Sequence, residues 1–146
     1  NLDGLEGVEK VGGDLFIFNH DFLDDLSGLS SIEEVSGTIH ISGNDGLTSF
    51  AGMENLSTVG NHLKVSTNPG LSNLEGFSGL SQLGNSLEVY NNDGLVSLEG
   101  LSSLTNVPYD IEIEQNDILC ISVVEDFISS ITYGGSRETV GNDDGC

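Results

Sequence analysis

A strict 24-residue period constrains this chain more than any other feature, because a sequence that repeats in register folds as copies of one unit. Leu15, Ile39, Leu63, Leu87 and Ile111 are spaced by 24 residues without an insertion, and Ile17, Ile41, Val65, Val89 and Ile113 follow two positions later. Five more apolar columns start at Leu23, Leu26, Leu29, Ile32 and Val35, so each unit carries seven. Glycine keeps the same register at Gly28, Gly52, Gly76 and Gly100. One such unit cannot shield its own apolar side chains, and only stacking on neighbours closes the core.

Each unit opens with period-two alternation, as in Leu63-Lys64-Val65 and Leu87-Glu88-Val89-Tyr90, which predicts a short strand with its column residues inward. The N-D-G or N-P-G that follows is turn chemistry. Stacked turns set equivalent strands about 4.8 Å apart in a parallel sheet, so the expected fold is mainly β, a β-helix-like solenoid of about five layers. Asn44, Asn68, Asn92 and Asn116 form a further column, with His20 in the same place one unit earlier. Buried Asn side chains stacked in this way can bond the main chain of the next layer and satisfy amides that a bend leaves unpaired. His20 is expected to make similar bonds at the end of the ladder.

The two ends differ. Leu2, Gly4, Leu5, Val8, Val11 and Gly12 match Leu26, Gly28, Leu29, Ile32, Val35 and Ser36 without a strand of their own, so the pattern reads as beginning inside a unit, and no signal peptide is visible. Periodicity stops after Leu119, which divides the chain into repeats over 1–119 and a C-terminal cap over 120–146. Ser122-Val123-Val124-Glu125 has the spacing of a capping box ahead of Val124, Phe127, Ile128 and Ile131. It predicts an amphipathic helix ended by Gly134 and Gly135 and laid over the last layer. Cys120 and Cys146 flank this segment. A disulfide between them would close a loop of about 27 residues and stabilise by about 3 to 4 kcal/mol; two buried thiols or a metal pair are the alternatives, and the spacing fits no zinc pattern. A disulfide would place the chain in an oxidising compartment.

The strand, the N-D-G-L turn, the S-L-x-G-L segment and the L-x-x-V-G close resemble the leucine-rich-repeat variant of receptor L domains. They are more similar still to repeat proteins of bacterial and algal surfaces and fungal cell walls. The resemblance covers about residues 1 to 119. It implies a right-handed leucine-rich-repeat solenoid, extracellular or at the cell surface, used for binding or adhesion and without catalysis. The additional cysteines of true receptor L domains, and the Trp that some of them bury, are missing here.

Charge narrows the partners. Three Lys and Arg against 24 Asp and Glu give a formal net charge of -21, which opposes binding to nucleic acid or an anionic membrane. No apolar run is long enough for membrane insertion. No nucleophile elbow, phosphate loop or H-E-x-x-H is present, so no enzyme is expected, and the fragment is expected to be monomeric.

In a stack of like units, recognition must use positions that change from layer to layer. On the strand face these are Phe16, His40, Lys64, Glu88 and Glu112, then Phe18, Ser42, Ser66, Tyr90 and Glu114. Phe16, Phe18 and Tyr90 are the expected aromatic anchors for a protein or glycan partner, with Lys64 central among them. The competing explanation is that Phe16 and Phe18 pack beneath a further N-terminal repeat or cap. Three other roles deserve a place beside this one. Asp21 with Asp45, and Asp93 with Asp117, share a column in successive layers and could hold calcium, although Asp in N-D-G also simply suits a turn. The alternative expectation is then a structural spacer in a larger surface protein, stabilised by calcium. His40 and His62 fall on adjacent strands, where a metal site with a neighbouring carboxylate is imaginable, and three scattered His equally need no function. Ice binding needs a regular Thr array, whereas Thr38, Thr48, Thr58, Thr67 and Thr105 fall in different columns. Asn55-Leu56-Ser57 is a lone glycosylation sequon.

Overall fold

A computed structural model describes residues 2–146. The period translates directly into a six-stranded parallel sheet made of Leu15–Phe18, Ile39–Ser42, Leu63–Ser66, Leu87–Tyr90, Ile111–Glu114 and Arg137–Glu138, in that spatial order. Each of the first four pairings joins residues 24 apart, as in Leu15 with Ile39 and Leu63 with Leu87. We number the layers one to six by these long strands. The inward residues Ile17, Ile41, Val65, Val89 and Ile113 are buried, and the residues between them point to the other face.

A second parallel sheet, which the sequence pattern did not announce, lies elsewhere on the stack. Its strands are two residues long: Lys10–Val11, Glu34–Val35, Thr58–Val59 and Gln82–Leu83, continued by the pair Asn106–Val107 and Thr132–Tyr133. The column of Val35, Val59, Leu83 and Val107 fills its inward side, while the N–H groups of Ser36, Gly60 and Gly84 donate to the carbonyls of Val11, Val35 and Val59 one layer away. Between the two sheets the chain turns through short 3-10 segments at Ser27–Leu29, Glu75–Phe77 and Glu99–Leu101. Layers approach closely here: a Cβ added at Gly76 would strike the carbonyl oxygen of Phe50, and one at Gly100 that of Leu74. That contact explains the periodic glycine. Phe50 and Phe77 meet in the core with ring centroids 4.7 Å apart.

The Asn column is the buried ladder that its spacing implies. Asn68 Nδ2 donates to the carbonyls of Ile41 and Ser66, and its Oδ1 accepts from the main-chain N–H of Asn44 at 3.1 Å. Asn44, Asn92 and Asn116 repeat the pattern. At the first rung His20 takes part only through its main-chain N–H, which donates to Asn44 Oδ1; its ring is exposed and does not continue the ladder.

The C-terminal segment corrects three expectations. Among the described residues the single α-helix runs Ile121–Ser130, so Ser122 and Glu125 lie inside it; no side chain caps its first turn, and the residue before the helix is Cys120. Glu125 is paired instead with Arg137 at 2.8 Å. The helix also ends before Gly134 and Gly135, because Thr132–Tyr133 is extended and paired with Asn106–Val107. Finally, the stack does not stop after Leu119. The helix replaces a 3-10 turn and adds two residues, after which Arg137 pairs with Ile111 at an offset of 26 and Asn142 Oδ1 accepts from Asn116 N–H and Nδ2. The last segment is therefore a sixth layer as well as a cap. Val124, Phe127, Ile128 and Ile131 join the core from it, and Cys120 and Cys146 are disulfide-bonded with Cα atoms 5.8 Å apart. The fold is thus mainly β, built of parallel sheets with one α-helix near the C-terminus and no closed barrel among the described residues.

Candidate binding face

Alternation along the long strands leaves two outward rows. In register across the sheet the first reads Phe16, His40, Lys64, Glu88, Glu112 and Glu138, and the second Phe18, Ser42, Ser66, Tyr90 and Glu114. The inward neighbours of these residues hardly vary, since every layer must fill the same core volume. The outward ones change character from one end of the sheet to the other.

At the first layer, Phe16 and Phe18 stack with centroids 5.4 Å apart and remain 54% and 38% exposed. The ring of His40 stands edge-on to Phe18 at 4.6 Å. His40 Nε2 is buried without a hydrogen-bond partner. Burial, and then the charge of Lys64, hold this imidazole below its ordinary value against a smaller opposing pull from Glu88. The platform is apolar and uncharged near neutral pH.

The centre satisfies itself. Lys64 Nζ lies 2.8 Å from Glu88 Oε2 and 5.0 Å from the centroid of Tyr90. Burial works against the Lys64 ammonium, but the Glu88 carboxylate and Tyr90 outweigh it and raise its pKa. His62 Nδ1 sits 3.2 Å from Glu88 Oε1, within ion-pair reach once protonated, yet outside hydrogen-bond geometry. Ser66, an outward position, is buried and donates to Ser42 at 3.0 Å. Of the residues that sequence reasoning singled out here, Lys64, Glu88 and Tyr90 therefore form one internal cluster, and Tyr90 is half-buried where an exposed anchor was expected.

The far end is acidic. Glu112 is flanked in register by Glu88 and Glu138, with Glu114 two residues along its own strand. Burial first, then the charges of Glu88, Glu114 and Glu138, push the Glu112 carboxyl above the usual carboxylate range. None of the four ion pairs among the described residues involves Glu112, Glu114 or Glu138. Glu138 was not legible as a member of this row, because its offset is 26 and not 24. The N-D-D-G at Asn142–Gly145, a further copy of the turn motif, was the available signal for that extra layer.

Away from this face, Asp21, Asp45, Asp93 and Asp117 are all exposed in their turns. Among the described residues no group of three or more His, Cys, Asp or Glu is placed to hold a metal ion. The Asn55 side chain is exposed and donates to the Ser30 carbonyl at 2.8 Å. Among the described residues no helix is long and apolar enough to cross a membrane. Comparisons of the chain with protein-family models, with curated proteins and with solved structures find no match.

Proposed function

We propose that this chain is a non-catalytic recognition module, a right-handed solenoid of the leucine-rich-repeat type that acts outside the cell or at its surface and binds a protein or glycan through the outward rows of its long sheet. One observation carries the reading. Positions 24 residues apart hold Phe16, His40, Lys64, Glu88 and Glu112 on one side of the sheet, while the buried side holds only Leu, Ile and Val. The stacked Phe pair, exposed on the outward face of the first layer, is an apolar feature of the kind that partner surfaces use. The disulfide between Cys120 and Cys146 supports an oxidising compartment, and the repeat signature supports the family type.

The test is unbiased selection on the immobilised chain with a peptide-display library and a glycan array. Ligands recovered should lose about tenfold in affinity with Phe16→Ala or Phe18→Ala, an effect expected of anchors in a small interface, while the melting temperature moves little. Recovered ligands that are indifferent to both substitutions would remove the strand face as the site.

A further inference from the structure

The two ends of the long sheet differ chemically, and the middle contributes no net charge to either. Lys64 and Glu88 neutralise each other. What remains for a partner is an uncharged aromatic ledge, Phe16 and Phe18 against His40, and a run of three carboxylates at Glu112, Glu114 and Glu138 that no ion pair among the described residues includes. Layers one and five are four strand spacings apart, about 19 Å at about 4.8 Å each. An extended peptide crossing the strands covers that distance in about six residues.

Building on the strand-face reading above, we infer that the partner is a basic protein segment, one that seats an apolar side chain on Phe16 and Phe18 and, about six residues away, sets Lys or Arg side chains against Glu112, Glu114 and Glu138. Charge complementarity selects this occupant. A cation placed among these carboxylates relieves repulsion that the fold leaves uncompensated, whereas an acidic segment or a sulfated glycan adds to it. A neutral glycan would stack on the Phe pair and leave the acidic end unused. The apolar ledge supplies what charge alone lacks, a fixed position along the face, because the rest of this chain of net charge -21 attracts cations without regard to place. Glu112 lies partly within the sheet surface and its carboxyl is pushed upward by burial and its neighbours, so a guanidinium there would lower it and the interaction would weaken in acid as the carboxylates protonate.

The experiment titrates the chain with three synthetic peptides: one with a Trp anchor six residues from a Lys/Arg triplet, the same peptide with Glu in place of the triplet, and the triplet peptide without the anchor. The first should bind, lose at least about tenfold in affinity with Glu112→Gln/Glu114→Gln/Glu138→Gln and again with Phe16→Ala, and weaken as salt shortens the screening length. A matched loss of charge on the other faces, Glu33→Gln/Glu75→Gln/Glu99→Gln, should leave it unchanged. Equal weakening by that control triple, equal binding of the anchorless peptide, or no binding of the first peptide overturns the inference. The two levels separate cleanly in the selection described above. Glycans or neutral peptides that depend on Phe16 sink the basic-segment inference and keep the strand face; ligands of any kind that ignore the strand face sink both.

Discussion

Asn68 and Ser66 lie two residues apart in the same layer and repeat with the same period, yet the ladder keeps Asn in layers two to five while the outward row beside it changes at almost every layer. The contrast comes from where each side chain finds its partners. Asn68 serves the main chain, bonding carbonyls of its own and the preceding layer and accepting an N–H in return. Those groups occupy the same geometry in every layer, and a short carboxamide supplies the two donors and one acceptor they require, where a hydroxyl has a single donor. Ser66, Lys64 and Tyr90 bond to other side chains, which a neighbouring substitution can replace. Interior positions answer to a repeated backbone, and exterior ones only to each other or to a partner.

The largest way to break this contrast is Asn68→Ala. It leaves the buried Asn44 N–H and Ile41 carbonyl without this partner, and at about 1 to 3 kcal/mol for each stranded group the loss should be about 2 to 6 kcal/mol; chemical denaturation would measure it, and a loss below about 1 kcal/mol would mean that the ladder is ornamental. Next comes the C-terminal closure. Replacing both Cys120 and Cys146 by Ser should cost about 3 to 4 kcal/mol on a chain-entropy argument, and amide exchange should rise first around Ile121–Ser130 and Arg137–Glu138, since contacts in a stack are to nearest neighbours. Uniform loss of protection across all layers would contradict that localisation.

Ser66→Ala removes one side-chain bond beside the ladder and should cost about 1 kcal/mol, well below its neighbour Asn68. An acid-side difference should be smaller still. The His40 pKa is lowered in the fold from 6.5, so its contribution is present above that value and lost as pH falls through the folded pKa. Glu112 has the opposite sign: its raised pKa makes the ionised form unfavourable, and the fold gains from it as pH falls toward 4.5. Urea midpoints measured downward from neutral pH should therefore drop less steeply in His40→Gln, and Glu112→Gln should be slightly more stable than the parent at neutral pH; reversed slopes would show that the environment of these groups is otherwise. Smallest of all, Phe16→Ala should shift stability by no more than about 0.5 kcal/mol, as expected for an exposed side chain, while weakening anchor-dependent peptide binding at least about tenfold.

Much of this architecture was legible because the period is exact in number. Each inward column could be named before any coordinates, and the adjacency of Lys64 with Glu88, or Phe16 with His40, follows from a separation of 24. The short second sheet was hidden because a two-residue strand offers no alternation to detect, only the β-branched column of Val35 and Val59. The sixth layer was hidden because the helix Ile121–Ser130 lengthens its unit by two residues and shifts Glu138 and Asn142 out of phase. In the candidate site the members were legible and their state was not. Lys64 was expected at the centre of the face and is committed to Glu88 there; Tyr90 was expected as an exposed anchor and lies half-buried beneath the Lys64 ammonium.

By itself, then, the sequence determined the repeat, the buried columns, the Asn ladder and the residues that face outward, because a periodic chain can satisfy its apolar groups and turn amides only by stacking in phase. Tertiary structure alone decided that the cap is also a layer and that the outward face is apolar at one end, self-neutralised in the middle and uncompensated at the other. Those outcomes depend on which neighbour a flexible side chain reaches across about 5 Å of sheet, a choice made by packing and charge in three dimensions and not by spacing along the chain.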